Sequence, residues 1–546
     1  MRTLHWLTLC LVLLLAGCTT NEQQEAVEKE EGITKIKPDE TITIPFHTPI
    51  DATSITDERV RLVHESGEAV ERIITLSDDR LELHISPPEQ GFPVGHYTLT
   101  ITSNVLTIGG QPLVASDYEK KYNVPMRYRV EQLVDGKIEI IGMFMSREEA
   151  DAVMTDETVL FDYDEAIVIP DGQGLVITTD QGITKLYYDK ALTDAATYVA
   201  GSSELRLLEK TASYIKVLAA NEVFYMEPDD VTYVPFYMER THYTVEDGQL
   251  VFHVRHYRYD HTSSFAVSDA PSFLKEGKRY YSNDGHTFYD EEGERVGNEP
   301  TYFQFLSMRS TTSYSAKQLD KYIVEMLEER QQQGGKYANA ATKSKLLGLG
   351  TVLKKVEQEL HVNALLILAL AQHESDYGMS NHAQTYNNLF GLYVFDENPA
   401  NKTFSSIEGN VLELAGQFLN KNYIPPGAGY AHGAYFGNKV QGVNVRYASD
   451  QFWGAKAAGH AYRIDRALGG KDFERYDIAR VNDDILEQSN RLDVYAQKND
   501  EQVIYTIDAA HGQFVTAHKS ASGSWRAIIS DSGRYDEGYV RKSVID

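Results

Sequence analysis

Apolar and polar positions change rhythm along the chain, and each rhythm predicts a different kind of element. Between Thr41 and about Pro125 they alternate in short runs, TITIPF, RVRLV, RLELHIS and HYTLTITSNV, separated by Gly, Pro and Asp clusters. A period of two puts one face of a strand on a core and the other in water, so these runs predict a small β-sandwich over 41–125. The stretch 126–237 stays β-rich, with strands at KIEIIGMF, TVLFDY, AIVIP and GLVITT and one short helical piece, SREEADAVM. Over 238–300 the segments FHVRHYRYDHTSSF and KRYYSNDGHTFYDEEGERV predict a Tyr- and His-rich β connector facing water or glycan. From Ser315 the apolar spacing shifts to three and four, which predicts helices in AKQLDKYIVEMLEER, KSKLLGLGTVLKKVEQELH, NALLILALAQHE and again from Ile407 to Leu419. Asn387 to Thr403 reads as irregular, Tyr423 to Asp450 as a long Gly- and Pro-rich loop, and 485–546 as a return to short strands.

The first residues carry a different signal. MRTLHWLTLCLVLLLAGCTT has one basic residue, an apolar stretch shorter than a membrane span, and then Leu15-Ala16-Gly17-Cys18. This matches a bacterial lipoprotein signal over 1–17, with Cys18 as the lipidated residue. Two or more acyl chains there would anchor the chain stably to a membrane. The acidic stretch that follows, NEQQEAVEKEEG, has little to bury and reads as a solvated tether over 18–40. The expected location is therefore the outer, wall-facing side of the cell membrane, held by the N-terminal lipid.

Composition narrows the function classes. A chain of 546 residues with 42% hydrophobic content is long enough for several cores. Its formal charge of -28 argues against a nucleic-acid partner, since phosphate neutralisation needs Lys and Arg clusters. The chain has two Cys, Cys10 and Cys18, and Cys10 lies in the segment to be removed, so neither a disulfide nor a thiolate zinc site is expected in the mature form. His253, His256 and His261 fit no standard zinc spacing, and His373-Glu374 lacks the second His of a metalloprotease motif because Tyr377 stands there. No catalytic metal and no cofactor are expected.

The candidate chemistry centres on Glu374. The apolar run LLILALAQ ends on it, just ahead of a Gly- and Asn-rich loop, so a carboxyl half-buried near Ile367 and Leu370 is expected. Desolvation disfavours the charged form, which would keep a proton available for general-acid work. Three ordered blocks surround it: AQHESDYGMS followed by NNLFGL, then SSIEGNVLELAGQFLNKNY, then VNVRYASDQFWGAKAAGHAYRID.

In these blocks the chain resembles the glucosaminidases of glycoside hydrolase family 73, the autolysin-type cell-wall hydrolases. The resemblance runs from about Tyr302 to Phe473, within a domain set at 301–475. It implies a mainly α, lysozyme-like catalytic domain in a multidomain chain, with the N-terminal β-sandwich and β-rich modules before it and a small C-terminal β-barrel after it. SPPEQGFPVGHYTLTI resembles a strand pair of bacterial Ig-like domains. SYIKVLAANEVFYMEPDDVTYVP and WRAIISDSGRYDEGYVRKSVID resemble bacterial SH3-like modules.

The implied activity is an endo-β-N-acetylglucosaminidase cutting peptidoglycan glycan strands between N-acetylglucosamine and N-acetylmuramic acid. Glu374 would supply the proton. The second group is left open between Asp396 and Glu397 in YVFDENPAN, Asp450 in RYASDQFW, and the substrate's own acetamido group. Tyr447 matches the tyrosine of the R-Y-A-S-D block and is assigned to the catalytic set or to the core. Phe452 and Trp453 are expected on sugar faces or in the last helix, with Asp450 also a substrate contact. Asn388 and Phe390 are expected near substrate, Asn388 with Asn387 and Gly391 also shaping the turn. Arg446 is a candidate partner of Glu374 or Asp450. Two rival readings stand beside this one: a lytic transglycosylase and a non-catalytic wall-binding scaffold lipoprotein.

Overall fold

The computed structural model describes residues 32–546 apart from 135, 180–181, 229–230, 394–401, 483–489, 509–512 and 520–522. Cys18, the leader, most of the tether, Asp396 and Glu397 lie outside the described residues. The chain divides into two compact units, Met1–Asp164 and Glu165–Asp546. The division falls inside the 126–237 stretch.

Among its described residues the first unit is β-rich, with a single 3-10 turn at Ala52–Ser54 and a short helix at Arg147–Asp151. Strands Ile33–Lys35, Tyr118–Val124, Gly95–Ile101 and Val60–His64 form a 4-stranded sheet in that order, and Ile42–Pro45, Glu82–Ser86 and Ile73–Leu76 form a 3-stranded one. The alternation read from the sequence decides which face is buried: in Ile42–Pro45 the two Ile are buried and Thr43 and Pro45 exposed. Ile42, Ile44, Val60, Leu62, Leu83, Ile85, Tyr97, Leu99 and Ile101 join one core between the sheets. Beyond it, Tyr128–Val134 pairs antiparallel with both Lys137–Phe144 and Thr158–Asp162. The helix Arg147–Asp151 starts in a capping box, Ser146 and Glu149 each satisfying the other's backbone N–H.

The second unit opens with an antiparallel sheet whose strands run in the order Ala195–Ala200, Ile183–Tyr187, Glu222–Met226, Ile215–Ala219, Glu204–Lys210, Gly174–Ile177, Thr232–Pro235, Glu165–Val168. A 3-stranded meander follows, His242–Glu246, Gln249–His256 and His261–Asp269. Its aromatics correct the expectation of a water-facing hairpin. Tyr243, Phe252, Tyr280 and Phe288 are buried in one cluster, with the rings of Tyr243 and Phe252 stacked 4.3 Å apart. Burial of apolar ring area outweighs the polar tips, which find local partners. His253 is tied to Thr244 and Ser264, and His256 to Ser263.

The helical part runs through Ala316–Gln332, Gly350–Leu360, Ala364–Glu374, Asn381–Tyr386, Ile407–Glu413 and Trp453–Ala467. The helix expected to end at Leu419 is α-helical only to Glu413 and continues as a π-helix over Leu414–Tyr423. The chain closes in a 6-stranded antiparallel sheet, docked on the helical part where Phe305 and Phe514 rings meet at 4.4 Å and Ser307 N–H donates to Thr516 Oγ1 at 2.8 Å.

Ala364–Glu374 is the post on which the helical part is built. Every residue from Ala364 to Gln372 is buried, so the helix has no polar face. It packs against Trp453–Ala467 and Gly350–Leu360. Five of its side chains are Leu or Ile, each contributing roughly 1.5–3 kcal/mol by leaving water. Asn363 caps its start by accepting from Leu365 and Leu366 N–H.

Candidate active site

Glu374 is the last residue of that helix, and the sequence immediately after it forces the chain away. Ser375 is fully buried, its hydroxyl donating to Ala371 O and accepting from Gly378 N–H at 2.7 Å. Asp376, Tyr377 and Gly378 then take positive φ angles of 50°, 59° and 75° in succession. A side chain on Gly378 would stand 2.5 Å from Ser344 Oγ. The E-S-x-x-G pattern thus ends the helix sharply and leaves Glu374 at its tip, half-buried.

One bond fixes the carboxyl: Trp453 Nε1–H donates to Glu374 Oε1 at 2.5 Å. Burial pushes the Glu374 carboxyl up to about 7, and the nearby negative charge of Asp450 adds to this against the opposing Trp453 bond. Asp450 moves the other way. Burial would raise it, but the charge and hydrogen bond of Lys456 at 2.5 Å and the Phe452 N–H at 2.9 Å hold it below the ordinary carboxylate range. Two neighbouring carboxyls therefore differ in protonation near neutrality, one kept acidic in function and the other kept charged.

Tyr447 lies over the same site. Its ring meets Trp453 at 4.9 Å and Tyr423 at 5.7 Å, and its hydroxyl reaches Phe390 O at 3.5 Å. Burial, then the charge of Glu374, raises its pKa, so the phenol stays protonated and can donate. Behind Glu374, burial pulls His373 down to about 4 and His460 well below its usual value, which leaves both imidazoles neutral at pH 7. His460 Nδ1 is 3.2 Å from Gln372 Oε1, and Gln372 in turn bonds Tyr322.

Several predicted contacts take other places. Trp453 takes the second of its two expected places, at the start of the last helix: it is 2% exposed, its ring packed between Tyr447 and Phe436, and it offers the carboxyl its indole N–H rather than a sugar its face. Phe452 is turned into the meander, edge-on to Phe252 at 5.2 Å, rather than toward Glu374. Phe390 is 3% exposed, a core residue. Asn388 is 1% exposed and spends its amide on the turn: it donates to Leu392 O, accepts from Leu392 N–H, and accepts from Asn410, whose own carbonyl holds Leu389 N–H. Among the described residues no ion pair joins Arg446 to Glu374 or Asp450, so the arginine that would have lowered the Glu374 pKa is not placed to do so.

The loop expected over 423–450 is in large part core. Residues 434–445 are buried, with a short helix at Asn444–Tyr447. Close backbone approach makes this possible: a Cβ on Gly437 would lie 1.9 Å from Gln441 O, and one on Gly454 would lie 1.9 Å from Gly437 O. A cavity of about 250 Å³ opens beside the site, lined by Glu204, Arg255, Tyr257, Asp450 and Lys456 among others, and Glu374 is not in its lining. Among the described residues no cluster of His, Cys, Asp and Glu is arranged to hold a metal ion. The participants that sequence reasoning missed are the Trp453 indole as donor, Lys456 as partner of Asp450, and the neutral histidine pair. Only the Lys456 spacing, just past a helix start that follows an Asp, carried a signal.

Part of the chain is similar to known proteins. Residues 350–466 match the glucosaminidase family, described as mannosyl-glycoprotein endo-beta-N-acetylglucosaminidase. Two curated proteins of Streptococcus pneumoniae, from the serotype 4 strain TIGR4 and from strain R6, are each 32% identical over 250 residues, or 45% of this chain. Both are named "Putative endo-beta-N-acetylglucosaminidase". The match covers 34% and 32% of their lengths, so the chain spans about a third of the curated relatives it matches. Among solved structures, Staphylococcus aureus autolysin E in complex with the muropeptide NAM-L-Ala-D-iGlu is similar over 34% of this chain and 85% of that one, at 15% identity and a TM-score of 0.23.

Proposed function

We propose that this chain, which carries a glucosaminidase-family domain over residues 350–466, is an endo-β-N-acetylglucosaminidase that hydrolyses the GlcNAc-β-1,4-MurNAc bond of peptidoglycan. The observation that carries the reading is the state of Glu374: a carboxyl at the tip of a fully buried helix, raised to about 7 and aimed by the Trp453 indole. Such a group is protonated often enough near neutral pH to give its proton to the departing sugar oxygen. Positive charge then develops on the sugar's anomeric centre. Asp450, held ionised by Lys456, supplies a fixed negative charge in the same neighbourhood. The protonated Tyr447 hydroxyl is assigned to the substrate's acetamido group or the leaving oxygen. Asp396 and Glu397, and the substrate's acetamido group itself, remain the alternatives for assisting at the anomeric carbon.

The β parts are read as accessory. The 41–125 region is proposed as an Ig-like spacer, and the end of 126–237 and the 485–546 region as SH3-like modules. The leader and Cys18 are proposed to anchor the chain on the wall-facing side of the membrane, a reading supported by the Leu15–Cys18 sequence. A Cys18→Ala variant found in the medium in mature form supports the anchor, and one retained on the membrane refutes it.

The activity is tested by mass spectrometry of borohydride-reduced fragments released from purified peptidoglycan, with Glu374→Gln alongside. Reduced N-acetylglucosamine ends that vanish in the variant establish the reading. Anhydro ends identify a lytic transglycosylase, and no release by either protein identifies a scaffold.

A further inference from the structure

Lys439 is a charged side chain in a place that ordinarily excludes one. It is 2% exposed, and among the described residues no carboxylate lies within ion-pair distance of it. Its ammonium group instead donates to backbone carbonyls, Ala448 O at 2.8 Å and Asn444 O at 3.0 Å, and reaches Val445 O at 3.5 Å. Tyr198 presents its ring face at 4.8 Å. Carbonyl oxygens converging on one point repel one another, and a cation among them turns that repulsion into attraction. Burying an ammonium without a counter-ion is costly, so the turn must be shaped closely around it.

The same turn is gripped from the other side by the strand Ala195–Ala200. Thr197 Oγ1 donates to Val445 O at 2.8 Å, Tyr198 OH to Arg446 O at 3.1 Å, and Ala200 N–H to Ser449 O at 2.8 Å. The carbonyls of residues 444, 445, 446, 448 and 449 are thus all engaged. What the turn carries is Tyr447, pressed on Trp453, which holds Glu374.

We propose that Lys439 is a positioning residue for the reaction of Glu374: by drawing the carbonyls of Asn444, Val445 and Ala448 to its ammonium group it sets the turn that places Tyr447 and, through it, Trp453 against the acid. The inference rests on the glycosidase reading above. It goes beyond it by naming a residue remote from substrate and by making the strand Ala195–Ala200 part of the catalytic scaffold.

The charged and titratable groups facing Lys439 are Asp450, which favours the ammonium form, and Arg446, which opposes it, with Tyr198 over the cation and Lys456 already paired to Asp450. Burial dominates and pulls Lys439 down to about 7. Loss of its proton removes the charge that draws the carbonyls together, so the clamp weakens toward alkaline pH.

The test is steady-state kinetics across pH on soluble peptidoglycan fragments, using the full chain, Lys439→Met, Tyr198→Phe and Glu374→Gln. The full chain is expected to lose kcat/KM on the alkaline side with the loss of two protons. Lys439→Met is expected to lose it with one, while its kcat is lower by about tenfold or more and KM is little changed. A residue that served folding alone would scale the whole profile without changing its steepness. Tyr198→Phe, which releases Arg446 O while keeping a ring over Lys439, is expected to lower kcat by about threefold and to keep the two-proton limb. A one-proton limb in the full chain, or a Lys439→Met profile matching it in height and steepness, overturns the inference. Should Lys439→Met fail to fold by circular dichroism, Tyr198→Phe carries the test, and a kcat equal to that of the full chain overturns the inference. A full chain that releases no new reducing ends fails the glycosidase reading itself and takes the inference with it.

Discussion

Replacing Glu374 by Gln should stabilise the protein at alkaline pH while abolishing turnover. The carboxyl titrates at about 7 in the folded chain against 4.5 for the ordinary group, chiefly because burial penalises its charge. A group raised in the folded state contributes stability that is fully present below its unfolded value and is lost as pH rises through the folded value. Each unit of pKa difference corresponds to about 1.4 kcal/mol, so the charged carboxylate should cost the fold about 3 kcal/mol above roughly pH 8. Gln has the same shape, offers its carbonyl to the Trp453 indole, and never ionises. Relative to the parent, Glu374→Gln should then be nearly neutral at about pH 4 and more stable by about 3 kcal/mol at about pH 9. For a helical domain of this size that is a rise of roughly 5–10 °C in Tm at the higher pH. Calorimetry on both proteins at both pH values reads it directly, with the transition that moves identifying the helical part. An equal offset at the two pH values, or a lower Tm for the variant at about pH 9, would refute the argument that Glu374 is held against its own charge.

Trp453→Phe removes a bond donated to a carboxylate, worth about 1.5–3 kcal/mol, so the Glu374 proton should persist to higher pH; the infrared band of the protonated carboxyl, isolated by difference against Glu374→Gln, follows it, and a downward move contradicts the assignment. Asn388→Ala leaves Leu392 N–H and the Asn410 amide without their buried acceptor, and a urea titration should report a loss of roughly 1–3 kcal/mol per abandoned group. Gly454→Ala would place a methyl group 1.9 Å from Gly437 O at the start of the helix that carries Trp453. That variant should lose about 1–3 kcal/mol by thermal melting and lose activity with it, and an unchanged Tm would show that the backbone there yields.

Much of the secondary structure was legible because it is written in local periodicity. The strand read at KIEIIGMF is Lys137–Phe144, and the helix read at NALLILALAQHE is Ala364–Glu374 with Asn363 as its cap. The half-buried acid at the end of that helix follows from the same run. What was not legible depends on neighbours brought together by folding. Trp453 meets Glu374 across 79 residues of sequence, and a tryptophan that donates a hydrogen bond looks in sequence like one that stacks on a sugar. The stretch 434–445 reads as part of the Gly- and Pro-rich loop Tyr423 to Asp450, yet its glycines are what let it enter the core. The meander's tyrosines and histidines read as surface because polar tips and apolar rings are indistinguishable in a sequence; Tyr243 is buried and Tyr259 is 73% exposed.

The helix that ends in Glu374 has no outward face from Ala364 to Gln372, whereas two groups that adjust the acid's proton affinity beyond burial, Trp453 and Asp450, stand on a different segment. The helix therefore sets where the acid stands and how far it is buried, and the second segment trims the acidity that burial gives it. A side chain of different volume in the helix would disturb its packing, so packing holds the helix tip that carries the carboxyl in place. Changes at Asp450 or Lys456 alter the charge that the carboxyl feels from outside that helix. A chain built this way can be retuned to a new working pH through Asp450 and Lys456, with the helix that carries the acid left unchanged.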